Sequence, residues 1–309
     1  MRMRRQLFGI AFLLLSFVPA SALPAQTKKN LNNLDKIGNR NVAHRSMISP
    51  EKEAAIGKQY AAALEKAVEM VQDPDVQRYV TAVAEKVARN SDWKGPVTVQ
   101  VVKSHAINSL SLPGGYIYLS SGLLQWAEDE DEIAGMIAHQ VAHSAARHWA
   151  AHMTNATPIQ IAMMPLLFGP TNDPTLVGPV PAACSGFLAY HYLPQLNMSP
   201  AVYSGLLEAY LNGTPVTFLP LKRKDELEAD YLGLQYVYKA GYDPHAYVAL
   251  LRKLASMQPG APLRPDAFQV MPPYPERIAK AEEEIRTILP EPRAPTKPSP
   301  EFTVMKTRL

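Results

Sequence analysis

One cysteine, Cys184, is all that 309 residues contain, which excludes a disulfide within the chain. An oxidising compartment is still allowed, and Cys184 reads as a small buried apolar residue rather than a nucleophile. Net charge is scarce too. There are 31 Lys and Arg against 28 Asp and Glu, and three of the arginines (Arg2, Arg4 and Arg5) lie at the very start. The remainder is balanced, which removes the electrostatic case for a nucleic-acid partner. From His148 to Leu207 the only formal charge is Asp173. Prolines at 158, 165, 170, 174, 179, 181, 194 and 200 break that stretch, so it holds no clean run for a transmembrane helix. Internal repeats are also lacking.

What is present is an ordinary globular balance, 47% hydrophobic and 19% charged, able to bury a sizeable core. Residues 1–22 read as a signal peptide. Three arginines precede an apolar stretch from Leu7 to Val18, and Ala20-Ser21-Ala22 supplies a small-residue cleavage site. The expected location is therefore outside the cytoplasm, in a periplasm or cell envelope. Residues 23–48 read as a linker, 49–290 as the main domain, and 291–309 as a proline-rich, flexible tail. An apolar insertion at about 154–219 interrupts the domain. It is expected to pack on the body, with a lid over the cleft or a membrane-contacting face as the sharper alternative.

Helix starts are legible. Ser49-Pro50-Glu51 gives a capping serine, a proline at the first helical position and an acid in the first turn. Asp73-Pro74-Asp75 repeats the signal, and Val76, Val80, Val83 and Val87 fall on one face of the helix it opens. Strands are expected over Val97–Val102 and Gly115–Ser120, with Leu112-Pro113-Gly114-Gly115 as a turn. A third helix opens at the acidic run Glu128–Glu132 and is expected to continue through His152. A fourth spans Leu221–Ala240, a fifth starts at Asp243-Pro244, and a last one runs from Pro275 to Leu289.

His139 and His143 are four apart on the third helix, so both imidazoles share one face and can share one ion. Alone this is a weak signal, because His148 and His152 have the same spacing. Glu226 and Asp230 share a face of the fourth helix. Taken alone they read as a solvated acidic face. With Glu226 as third ligand, they complete two neutral imidazoles, one carboxylate and an open position, the catalytic type of zinc site. Asp230 would then accept the free N–H of a ligating imidazole, that of His143. His44, His105, His191 and His245 read as isolated surface or core residues.

His139-Gln140-Val141-Ala142-His143 resembles the HExxH zinc motif with one substitution. Ile107-Asn108, Leu112-Pro113-Gly114-Gly115-Tyr116-Ile117-Tyr118 and Gly122-Leu123-Leu124 resemble the segment preceding that motif in the HtpX- and BepA-type gluzincin metallopeptidases, relatives of the CAAX prenyl proteases. Glu226–Asp230 and Ala240-Gly241-Tyr242-Asp243-Pro244 resemble segments C-terminal to the motif in the same family. The likeness spans roughly 46–290 apart from the insertion. It implies a helix-dominated α+β fold of zincin type, with a small sheet beside the HxxxH helix. It also implies one zinc ion on His139, His143 and Glu226, and a polypeptide substrate lying extended along Gly115, Tyr116, Ile117 and Tyr118 as an edge strand.

Two positions depart from the family pattern. Gln140 stands where the general-base glutamate is expected, and an amide cannot accept a proton near neutral pH. Met271 stands where the family carries a histidine that helps stabilise the oxyanion, and a thioether donates no hydrogen bond. Arg277 matches a family arginine. Three functions compete on this sequence. The first is a zinc-binding pseudoprotease that holds extended or misfolded chains. The second is an active zinc endopeptidase using another base, with Glu228 a candidate. The third is a structural envelope protein that no longer uses metal.

Overall fold

The computed structural model describes residues 31–105, 107–151, 154, 223–257, 272–290 and 298–309. The segment at 1–22, Met271, His152 and the insertion other than Thr154, Cys184 included, lie outside the described residues.

Helix α1 (Pro50–Ala67) starts as its sequence signal requires, with the Ser49 side chain accepting from the Lys52 N–H. Helix α2 (Pro74–Arg89) is capped by Asp73, which accepts from the N–H groups of Asp75 and Val76. It buries Val76, Tyr79, Val80, Val83, Ala84 and Val87. Three strands come next: β1 (Thr98–Val102), β2 (Ser109–Leu112) and β3 (Tyr116–Ser120), arranged β1-β3-β2. β3 pairs parallel with β1, placing Val99 beside Ile117, and antiparallel with β2, placing Leu112 beside Tyr116. The β2–β3 turn needs glycine. Gly114 and Gly115 have φ of 79° and 89°, and a Cβ on Gly115 would lie 2.3 Å from the Pro96 carbonyl oxygen.

This topology corrects the expected edge. Gly115, Tyr116, Ile117 and Tyr118 lead into the central strand, whose hydrogen-bonding groups are taken on both sides, so no third chain can add there. Tyr118 is buried and donates its hydroxyl to Glu65 at 2.8 Å. Beyond β1, the segment around Met70 already bonds, with the Val71 N–H donating to the Val101 carbonyl at 2.8 Å. No strand among the described residues pairs with the far side of β2.

After the short α3 (Ser121–Trp126) comes α4 (Glu130–Ala146), started by Asp129 accepting from Glu132 N–H. Nearly every residue of α4 is buried, which makes it the axis of the domain. Helix α5 (Arg223–Ala240) lies along it. Their backbones approach at Gly233, where a Cβ would sit 3.1 Å from the His139 nitrogen. Helices α6 (Pro244–Ser256) and α7 (Tyr274–Thr287) close that side. A smaller apolar cluster joins α1 to the sheet through Tyr60, Ala61 and Leu64 against Val102, Leu112 and Tyr118. The architecture is the expected helix-dominated α+β. No helix among the described residues is long and apolar enough to cross a membrane.

Two segments differ from the sequence reading. The part of the expected linker that is described is anchored by Arg40. Its Nε and Nη2 donate to Asp92 Oδ2 at 2.9 and 2.6 Å, and Tyr236 donates to the same oxygen at 2.9 Å. The expected flexible tail instead carries helix α8 (Pro300–Arg308), capped by Ser299. It buries Phe302 and Met305, with Phe302 edge-on to Tyr79 at 6.1 Å between ring centres. Two such side chains contribute roughly 3–6 kcal/mol of burial toward docking this helix on α2.

Candidate metal centre

The helical period puts His139 and His143 one turn apart on α4, and the close α4–α5 contact brings Glu226 across to them. His139 Nε2 lies 3.1 Å from His143 Nε2 and 3.3 Å from Glu226 Oε2, and His143 Nε2 lies 3.6 Å from Glu226 Oε1. Tetrahedral ligands about 2.0–2.1 Å from a zinc ion stand about 3.3–3.4 Å apart. The three donors therefore fit one such ion, and they form a group able to hold a metal. All three are at least nine-tenths buried.

The electrostatics suit a cation. Burial alone would push Glu226 up, but the neighbouring imidazoles His143 and His139, with Arg277 beyond, hold its carboxyl down to about 2. Burial pushes His143 well below the ordinary histidine value against the pull of Glu226, which favours the form that ligates. Burial acts the same way on His139, but its hydrogen bonds to the Asp230 and Glu226 carboxylates outweigh it and raise its pKa.

Asp230 takes a different partner from the one expected. Its Oδ1 faces His139 Nδ1 at 2.9 Å, not His143. One helical turn separates Glu226 from Asp230 on α5, so Glu226 reaches between the two imidazoles while Asp230 meets the far side of His139. Asp230 is itself clamped. Arg277 donates to it from Nε and Nη2, both at 2.7 Å, and Tyr247 donates its hydroxyl to Oδ1 at 2.6 Å. The carboxyl of Asp230 is consequently held far below the ordinary aspartate range, the charge and bonds of Arg277 and His139 overcoming burial. The structure thus gives Arg277 a place: it fixes the group that fixes His139.

His143 has an unforeseen partner. Helix α4 ends at Ala146 because Arg147 adopts φ 55°, ψ 40°, so it does not run unbroken through His152 as expected. Arg147 is held there by Glu53 at 2.8 Å and the Ile48 carbonyl at 2.6 Å. The turn brings His148 Nδ1 to 2.9 Å from His143 Nδ1. On the other side of the centre, Gln140 donates its amide to Ser109 Oγ at 2.8 Å, tying α4 to β2. Ser109 and β2 carried no sequence signal strong enough to be expected. Glu228 accepts from His44 and His148 at 2.7 and 3.2 Å, engagements that compete with any service as an alternative base.

The family model for Peptidase family M48 matches residues 74–285, about two thirds of the chain. The chain is similar to the beta-barrel assembly-enhancing protease of Yersinia pestis, 26% identical over 289 residues, covering 92% of this chain and 55% of that protein. It is 27% identical over 238 residues to the protein of the same name from Escherichia coli K12, covering 76% and 44%. It is 30% identical over 211 residues to the mitochondrial metalloendopeptidase OMA1 of Schizosaccharomyces pombe, covering 66% and 52%. The chain spans about half the length of the relatives it matches.

Proposed function

The chain belongs to Peptidase family M48, and from that premise we propose that it is an exported, zinc-binding member with impaired hydrolysis, whose working function is to hold extended or misfolded polypeptide in the cell envelope. The carrying observation is Gln140. It sits between the two candidate histidine ligands, in the position of the family glutamate, with its amide donating to Ser109. His139, His143 and Glu226 would hold a zinc ion, which would supply Lewis-acid polarisation of a carbonyl and acidify water. The residues present hold that charge well: Asp230 orients His139, and Arg277 and Tyr247 orient Asp230. What they lack is a proton acceptor at position 140. General-base catalysis is worth about 10²–10⁴-fold, so turnover falls while binding is spared.

The strand that receives a polypeptide is reassigned from β3 to β2. No strand among the described residues pairs with its far side, where the Ser111 carbonyl accepts from Trp149 Nε1 at 3.0 Å, and Ser109 at its start bonds to Gln140. An extended chain added antiparallel to β2 passes beside the metal ligands, with backbone bonds supplying affinity and little sequence preference. Unpaired strands of incompletely assembled β-structure are the client class this mode suits, in keeping with the beta-barrel assembly named in two of the relatives. Export rests on the charged and apolar pattern of residues 1–22.

The test is capture without cutting. A fluorescent, permanently unfolded polypeptide titrated with the zinc-loaded protein is expected to bind and to stay intact by mass spectrometry. Rapid fragmentation, abolished by a chelator, would instead favour the reading as an active endopeptidase, which the complete ligand set and its supports also suit.

A further inference from the structure

A second cluster, His44, His148 and Glu228, brings its ligand atoms within 4.8 Å of one another. Its geometry differs from that of the first. Both imidazoles aim Nε2 at a single oxygen, Glu228 Oε2, from 2.7 Å for His44 and 3.2 Å for His148. Two donors on one acceptor is a hydrogen-bond pattern, and the shorter distance is well under the about 3.3 Å separating ligands of a tetrahedral ion. At its other end His148 meets His143, Nδ1 to Nδ1, at 2.9 Å.

Only one proton fits between two Nδ1 atoms. A His143 that ligates through Nε2 carries its proton on Nδ1 and must donate it. His148 then accepts at Nδ1, which leaves its own proton on Nε2, directed at Glu228. Resting on the reading of His139, His143 and Glu226 as metal ligands, we infer that His148 and Glu228 are positioning residues that fix the tautomer and orientation of His143 through this ordered relay. His139 has a carboxylate, Asp230, for the same purpose. His143 has an imidazole backed by a carboxylate.

The fold is built to present the relay. Left-handed Arg147 turns the chain so that His148 comes back against His143, with the rings edge-on at 5.0 Å. His44 closes the outer end. Its N–H donates to the Ala146 carbonyl at 2.8 Å, and its ring stands edge-on to His148 at 5.1 Å. Glu228 Oε2 thereby takes both donors, and the bond from His44 helps hold it toward His148.

Two substitutions separate the ends of the relay. His148→Asn places an amide oxygen near the Nδ1 position and keeps the acceptor for His143. His148→Gln places an amide nitrogen near Nε2 and keeps only the donor to Glu228. Affinity is read by cobalt titration, following the visible absorption of the bound ion. His148→Gln is expected to lose about 10–100-fold in affinity with an altered spectrum, while His148→Asn retains most of both. Glu228→Gln, at a partly exposed site that tolerates change, is expected to weaken affinity in the same direction. Nitrogen NMR of the zinc-loaded, unsubstituted protein should find His148 protonated on Nε2 alone. Protonation on Nδ1, equal affinity for His148→Gln and the unsubstituted protein, or a second ion per chain lost on His44→Ala would overturn the relay. Failure of the unsubstituted protein to take up cobalt would remove the metal reading itself, and the relay with it.

Discussion

Replacing Arg277 with leucine tests how the centre is held. Asp230 receives two bonds from Arg277 at 2.7 Å, one from Tyr247 at 2.6 Å, and contacts His139 at 2.9 Å, all in a buried setting. Leucine deletes two charge-assisted bonds, each worth about 1.5–3 kcal/mol, and strands a buried carboxylate. Breaking a buried ion pair from one side costs about 3–5 kcal/mol, so the two routes agree. The assay is urea unfolding with chelator present, so that metal binding does not mask the loss. A depressed carboxylate pKa contributes stability above the unfolded value, about 3.9, and loses it as pH falls below. The difference between the two proteins should therefore shrink in acid. Arg277→Lys should recover part of the loss, since a point charge cannot make the two-pronged contact. Adding Asp230→Asn to Arg277→Leu should destabilise less than the sum of the two single changes. A loss below about 1 kcal/mol for Arg277→Leu would refute the picture of Asp230 as an ionised group held by Arg277.

Other consequences are as specific. Phe302→Ala should cost about 3–5 kcal/mol if α8 is part of the packed body, measured by thermal unfolding; an unchanged Tm would mean the segment is dispensable. Glu284 is buried, and burial raises its pKa well above the ordinary value against the pull of Gln235 and Arg40. Such a group is neutral in the folded protein at a pH where the unfolded chain has ionised, which penalises folding as pH rises. Glu284→Gln should thus match the unsubstituted protein near pH 4 and become relatively more stable above it, by roughly 1.4 kcal/mol per pH unit until the folded group ionises. A constant difference across that window would contradict the assignment. Asp92→Leu should destabilise by about 3–5 kcal/mol in chemical denaturation, because it strands Arg40 and removes an acceptor from Tyr236.

Much of this was legible in the chain because local physics dominates where the signals are strong. Capping residues at Ser49, Asp73 and Asp243 set three helix starts, and the valine stripe of α2 set its buried face. The spacing of His139 and His143 gave their common face, and the match to a known motif order gave Glu226 as their partner. What failed is tertiary in origin. Ser109–Leu112 is too short to show alternation, so the pattern does not reveal β2 and points to β3 as the edge. Arginine rarely adopts positive φ, and only Glu53 and the Ile48 carbonyl, far away in sequence, explain why Arg147 does. That break is what turns His148 toward His143, so the second cluster could not be seen from spacing. Periodicity gives Asp230 a face, not which of two rings on the opposite helix it meets, and the structure has it on His139 rather than His143. Arg40 and Phe302 sit in segments of linker-like composition, yet each is fixed by contacts with partners distant in sequence.

Gln140→Glu tests most directly whether this is a competent metal centre whose hydrolysis is limited by its missing base. Zinc content and cleavage of an unfolded polypeptide would be measured for both proteins, with a chelated control. One zinc per chain is expected in both, with little or no cleavage by the unsubstituted protein and a chelator-sensitive gain of about 10²–10⁴-fold in the variant. Rapid chelator-sensitive cleavage by the unsubstituted protein, with no gain in the variant, would contradict that reading of the centre.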